Sequence, residues 1–133
     1  MAVKSIADDV ADYLTTAAGG SHGTVGTDIF VGKLVDSPND QIAVFPTGGG
    51  APSAYIADIH EPTFQVLIRN DDFDAGNTIL RSVRTALHKK INLTLTNFVA
   101  LNILAASEGG AIGQDERGLY EFTINFSAKV RPT

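Results

Sequence analysis

The sequence predicts an α+β fold, a mostly antiparallel sheet of four to five strands with two main helices packed on one face. Three observations carry that prediction. Residues 120–131 alternate apolar and polar in strict period two, two separate stretches repeat apolar residues at spacings of three and four, and the order runs helix, strands, helix, strands. At 133 residues the chain is one domain, 1–133, with room for a single core. Its 44% apolar residues, with seven Phe and three Tyr, exclude a disordered or low-complexity protein.

The first helix is expected over about residues 2–18, where Val3, Ile6, Val10, Tyr13, Leu14 and Ala17 form one stripe and Gly19-Gly20 stops it. Asp28 to Val35 reads as a strand, apolar on both faces. Asp36-Ser37-Pro38-Asn39-Asp40 reads as a tight connection to a second strand, Gln41 to Pro46, so the two are expected to form a hairpin. Thr47 to Glu61 is long and irregular, and connections of that length are usually functional or disordered. Pro62 opens a third strand in which Phe64, Val66 and Ile68 alternate with Thr63, Gln65 and Arg69. The Asp71-Asp72-Phe73-Asp74 cluster offers N-caps for a second helix, about 75–90, whose last turn carries His88, Lys89 and Lys90 where the dipole favours cations. Phe98 to Ala106 and Leu119 to Arg131 complete the sheet. In the latter, Tyr120, Phe122, Ile124, Phe126, Ala128 and Val130 face one side.

Charge and composition narrow the function. The formal charge is −5, and the surplus lies in residues 1–70, with three cations against eight anions. No basic cluster exceeds one helix end, so specific binding to DNA phosphates is not expected. Without Cys there is no disulfide and no thiolate metal site. No apolar run approaches the roughly 18 residues of a membrane span and no export signal is readable, so the chain is expected to be soluble with no membrane partner.

The motifs that could carry chemistry read better as structure. Gly19-Gly20-Ser21-His22-Gly23 matches a nucleophile elbow in letters, but follows a helix and leads into more loop, whereas the elbow turns from strand to helix. Gly48-Gly49-Gly50 lacks the Lys-Ser/Thr and helix of a phosphate loop. His22, His60 and His88 show no metal-ligand spacing. Asp115-Glu116-Arg117, between Gly113 and Gly118, is a charged tip suited to solvent or to an ion pair between subunits. Arg81, Arg84, His88, Lys89 and Lys90 lack the aromatic residues that stack bases, so they read as a solvated face or a dock for an acidic protein surface. No catalytic residue, cofactor or metal is expected.

The order of features resembles the tail terminator proteins of long-tailed bacteriophages, often labelled minor capsid or tail completion proteins. The pieces in register are Asp8-Asp9-Val10-Ala11-Asp12, Asp28-Ile29-Phe30-Val31-Gly32, and Ala43 to Gly49. They continue with Pro62 to Arg69, then Gly113-Gln114-Asp115-Glu116-Arg117-Gly118 and Glu121 to Phe126. A basic residue is expected just after the last Gly of that motif. Here Leu119 stands there and Arg117 precedes the Gly.

The resemblance implies a non-enzymatic virion protein, assembled in the host cytoplasm and placed at the head-proximal end of the tail. It would form a ring homo-oligomer, commonly a hexamer, that caps the tail tube, stops its polymerisation and presents a surface to the head. Its partners would be copies of itself, the tail tube protein and a head-side connector or neck protein, with DNA passing nearby unbound. Polarity selects Gln65, Arg69, Arg81, Arg84, Asp115, Glu116 and Arg117 as candidate interface residues and Asp36, Asp40 and Asp58 as candidate lumen residues. The competing readings are a small-molecule or peptide binding module using the 47–61 loop, and another neck or tube subunit of the same virion.

Overall fold

The computed structural model describes residues 5–49 and 59–132. Helix α1 (Ile6–Thr15) begins where the Ser5 amide donates to the Asp8 carboxylate at 2.8 Å, the reach-back half of a capping box. It buries Ile6, Val10, Tyr13 and Leu14. The chain then folds back so tightly that a Cβ on Gly19 would lie 2.0 Å from the Tyr13 carbonyl oxygen, and the His22 amide donates to the Leu14 carbonyl at 2.8 Å. Only glycine fits that reversal.

Among the described residues seven strands form one sheet: β1 (Ile29–Val31), β2 (Gln41–Gly49), β3 (Pro62–Asn70), β4 (Lys90–Thr94), β5 (Phe98–Ala105), β6 (Gly110–Gln114) and β7 (Tyr120–Pro132). Their order is β1-β2-β3-β7-β5-β4, and β6 also pairs with β7. The expectation of four to five strands is therefore corrected to seven in a mixed sheet, antiparallel at every pairing but β1–β2, with 45% of the described residues in strands and 21% in helices. Two strands escaped the sequence reading. β4 follows the second helix almost without a break, and β6 has glycine at two of its five positions, which reads as loop.

The hairpin expected from the first two strands is also corrected. β1 and β2 are parallel, Ile29 beside Ile42 and Val31 beside Val44, so residues 32–40 return the chain to the starting end of its neighbour. Parallel crossovers usually need a dozen residues or more. A three-residue β1 shortens the return.

β5 and β6 together form one interrupted arm of a long hairpin whose other arm is β7. Phe98 pairs with Pro132 at one end and Gln114 with Tyr120 at the other, with the break at residues 106–109. Along β3 and β7 alternate residues point to the core, and Phe64, Val66, Ile68, Phe122, Ile124 and Phe126 are all fully buried there. Phe64 and Phe126 stack at 5.2 Å. α1 and helix α2 (Phe73–Leu87) contribute Val10, Leu14, Leu80, Val83 and Leu87 to the same cluster. The opposite face keeps Gln65, Leu67, Thr123 and Ser127 half-buried and Asn125 exposed.

α2 approaches β7 through Gly76. A Cβ there would meet the Phe122 ring at 2.5 Å and the Asn70 Cβ at 3.2 Å. Gly76→Ala gains about 1 kcal/mol of helix propensity, but overpacks Phe122. A net loss of about 1–3 kcal/mol is expected in denaturant melts. By the same measurement Phe126→Ala should cost about 3–5 kcal/mol. Asn125→Ala, one residue away on the open face, should stay within about 0.5 kcal/mol.

Candidate assembly surface

Two buried polar side chains build one end of the sheet. Gln41 and Arg69 are direct cross-strand partners, 3% and 5% exposed, on the face away from the helices. The Gln41 amide group donates to the carbonyls of Val35 (2.9 Å) and Pro38 (2.7 Å) and accepts the Val35 N–H at 2.9 Å. The Arg69 guanidinium donates to the carbonyls of Val35 (2.6 Å), Asp36 (3.1 Å), Pro38 (2.8 Å) and Asn39 (3.2 Å). Together they fold residues 35–39 onto the sheet. Arg69 was expected at a subunit interface; its guanidinium is instead committed inside the chain.

The tip of the long hairpin closes beside this loop. Asp115 Oδ1 accepts the amides of Arg117 (2.8 Å) and Leu119 (3.0 Å), and the Asp115 amide donates to the Leu119 carbonyl at 2.9 Å. Gly118 takes the positive φ, +82°, that completes the turn. Arg117 reaches across to the Asp36 carbonyl at 2.9 Å. A cleft of about 550 Å³ results, lined by Asp36, Arg69, Asp115, Glu116, Arg117 and Glu121. The Leu119 amide is the first cause holding the Asp115 carboxyl below the usual carboxylate range. The Arg117 amide and the charges of Arg117 and Arg69 add to it, against an opposing desolvation.

Asp115, Glu116 and Arg117 thus share one cleft with Arg69, and Asp36, expected in a lumen, joins them. The other candidates lie apart. Gln65 is on the open sheet face, its amide donating to Thr123 Oγ1 at 2.6 Å. Arg84 pairs with Glu108, while Arg81 is exposed on α2. Asp40 accepts the Asp71 amide at 3.0 Å, and Asp58 lies outside the described residues. The loop expected at 47–61 is shorter, because β2 continues through Gly49; its centre is likewise outside them. At its base a groove of about 350 Å³ runs between Ile6, Pro46, Pro62, Phe98 and Val130.

The histidines have structural partners. Burial lowers the pKa of His22, leaving a neutral ring at pH 7 with Nε2 3.2 Å from Ser82 Oγ. His88 Nδ1 lies 2.9 Å from the Ala105 amide, which donates to it. The expected last turn with His88, Lys89 and Lys90 is corrected, because α2 ends at Leu87 with His88 as its C-cap and Lys90 opens β4. His60 pairs by backbone with Val130. Among the described residues no group of three or more His, Asp or Glu is arranged to hold a metal.

Sequence reasoning missed Asp9. It is fully buried and accepts the Asn97 amide (2.8 Å), the Asn97 side-chain amide (2.7 Å) and the Phe98 amide (2.9 Å). The signal was present, since Asp9 stands three residues after Ile6 and four before Tyr13, inside the apolar stripe.

A family model described as "Bacteriophage tail terminator protein" matches residues 19–131. Among solved structures, a chain from the "Virion of native gene transfer agent (GTA) particle" shares the fold, with a TM-score of 0.57 and 14% identity. The match covers 95% of this chain and 94% of that one. Comparison with curated proteins gives no match.

Two outcomes follow from the cleft. Arg69→Ala should cost about 2–3 kcal/mol in denaturant melts, because it leaves several carbonyls of residues 35–39 without their charged donor. The tip should respond to acid. With the folded pKa of Asp115 below its unfolded value, its contribution is complete above about pH 3.9. That contribution is lost as pH falls through the lowered folded value. The Arg117 and Leu119 amide resonances should titrate together with a midpoint below about 3.9, and Asp115→Asn should abolish the transition.

Proposed function

Because the chain belongs to the bacteriophage tail terminator family, we propose that it forms a ring, hexameric in the complete virion, on the head-proximal end of the tail tube. The ring stops tube polymerisation and presents the surface to which the head docks. Its partners are neighbouring copies, the tail tube protein below and a head-side connector above. The role is structural and not enzymatic.

The family match over residues 19–131 carries the reading, and it supports a structural tail protein in the virion. The physical arrangement suits a ring. A heterologous contact needs two unlike patches on one subunit, and this chain offers an open sheet face, a charged cleft at one end of it and a polar helix ridge behind it. The acidic balance suits a passage through which DNA slides, since cations facing the bore would bind phosphates. Asp40, at the start of β2, remains our choice for that bore.

The test is assembly. Mixed with polymerising tail tube protein, the chain should shorten the tubes and add a ring to one end in negative-stain images. The isolated protein should pass unretained over duplex DNA at moderate salt. Tubes that grow to unchanged length without end rings would remove the capping role.

A further inference from the structure

We propose that the hairpin tip of one copy inserts beside helix α2 of the next, with Ile112 as its apolar anchor and Glu116 meeting Arg81 and Lys90. The inference rests on the ring reading and names the contact that would build it.

The anchor is presented by a β-bulge. Ala111 pairs with Phe122 and Gly113 with Glu121, so Ile112 is the additional residue on β6, 58% exposed. Bulges at sheet edges re-aim a side chain. This one turns a large apolar group outward beside the charged cleft. The Glu116 carboxylate forms no ion pair or hydrogen bond among the described residues, and neither does the Arg81 guanidinium. An apolar anchor within a polar rim is the usual anatomy of a binding hot spot.

The receiving patch is a cavity of about 370 Å³ lined by the small residues Ala17, Ala18, Gly20 and Ala86, by Ser82 and Thr85, and by the cations Arg81 and Lys90. Small side chains leave room for an isoleucine there, and the two cations complement a glutamate beside it. The two patches lie on opposite flanks of α2. Ser82 faces the cavity side through His22, whereas Arg84 faces the hairpin side through Glu108. One copy therefore cannot satisfy both, and a head-to-tail contact between copies can.

Light scattering and negative-stain imaging of the full chain test the contact. Ile112→Asp, Glu116→Lys and Arg81→Glu each alter an exposed residue, so monomer melts should stay unchanged. Each should weaken self-association at least about tenfold. Combining Glu116→Lys with Arg81→Glu should restore most of it. Rings that persist in all three single variants would remove this contact and leave the ring intact, and a combined variant no better than its parents would remove the pairing. Loss of tube binding with rings preserved in Ile112→Asp would assign the tip to the tube and overturn the proposal. A wild-type chain that remains monomeric, alone and with tube protein, would remove ring and contact together.

Discussion

Burial on a single side of the sheet governs this fold. β7 pairs with β3 along its first half, with β5 along its second and with β6 at its start, so its pleat sets the orientation of most of the sheet. Its inward row of Phe122, Ile124, Phe126, Ala128 and Val130 is buried by the two helices, and its register places Phe64, Val66 and Ile68 on the same side. A slip of one residue would move every one of these side chains to the uncovered face.

The elements that local pattern determines were legible in the sequence. Strict alternation marked β7, the Phe64-Val66-Ile68 series marked β3, and three-and-four spacing marked both helices. The failures have local physical causes. β4 is five residues long and joins α2 with almost no loop, so its letters continue a helix. β6 is glycine-rich and gains strand geometry only by pairing with β7. The direction of β1 could not be read, because its three residues carry no record of whether the chain turns back or returns to the start. Gln41 and Arg69 make that decision by fastening residues 35–39.

The candidate surface was legible in the same uneven way. Asp115, Glu116 and Arg117 are neighbours in sequence, and the turn keeps them together. Arg69 and Asp36 reach that tip only through pairing of distant strands, which no local pattern reports. Arg69 looked exposed because it alternates with Phe64, Val66 and Ile68. The alternation was right, but a loop covers the outer side at that point. Buried polar groups are tolerable only when their hydrogen bonds are made; those of Arg69 go to the backbone of residues 35–39, and those of Asp9 to the two amides and the Asn97 side chain at residues 97–98. Each fixes an irregular connection to the regular framework.

The two rows of β7 also separate the demands placed on the sequence by the parity of residue number. Even positions from 122 to 130 must satisfy the interior of their own subunit. The intervening odd positions are half-buried or exposed on the opposite face. Selection for folding therefore acts on one row, while adaptation to a new neighbour can rewrite the other without disturbing it. Related chains with different neighbours would then diverge along the odd row while the even row stays apolar, so one scaffold can meet unlike surfaces.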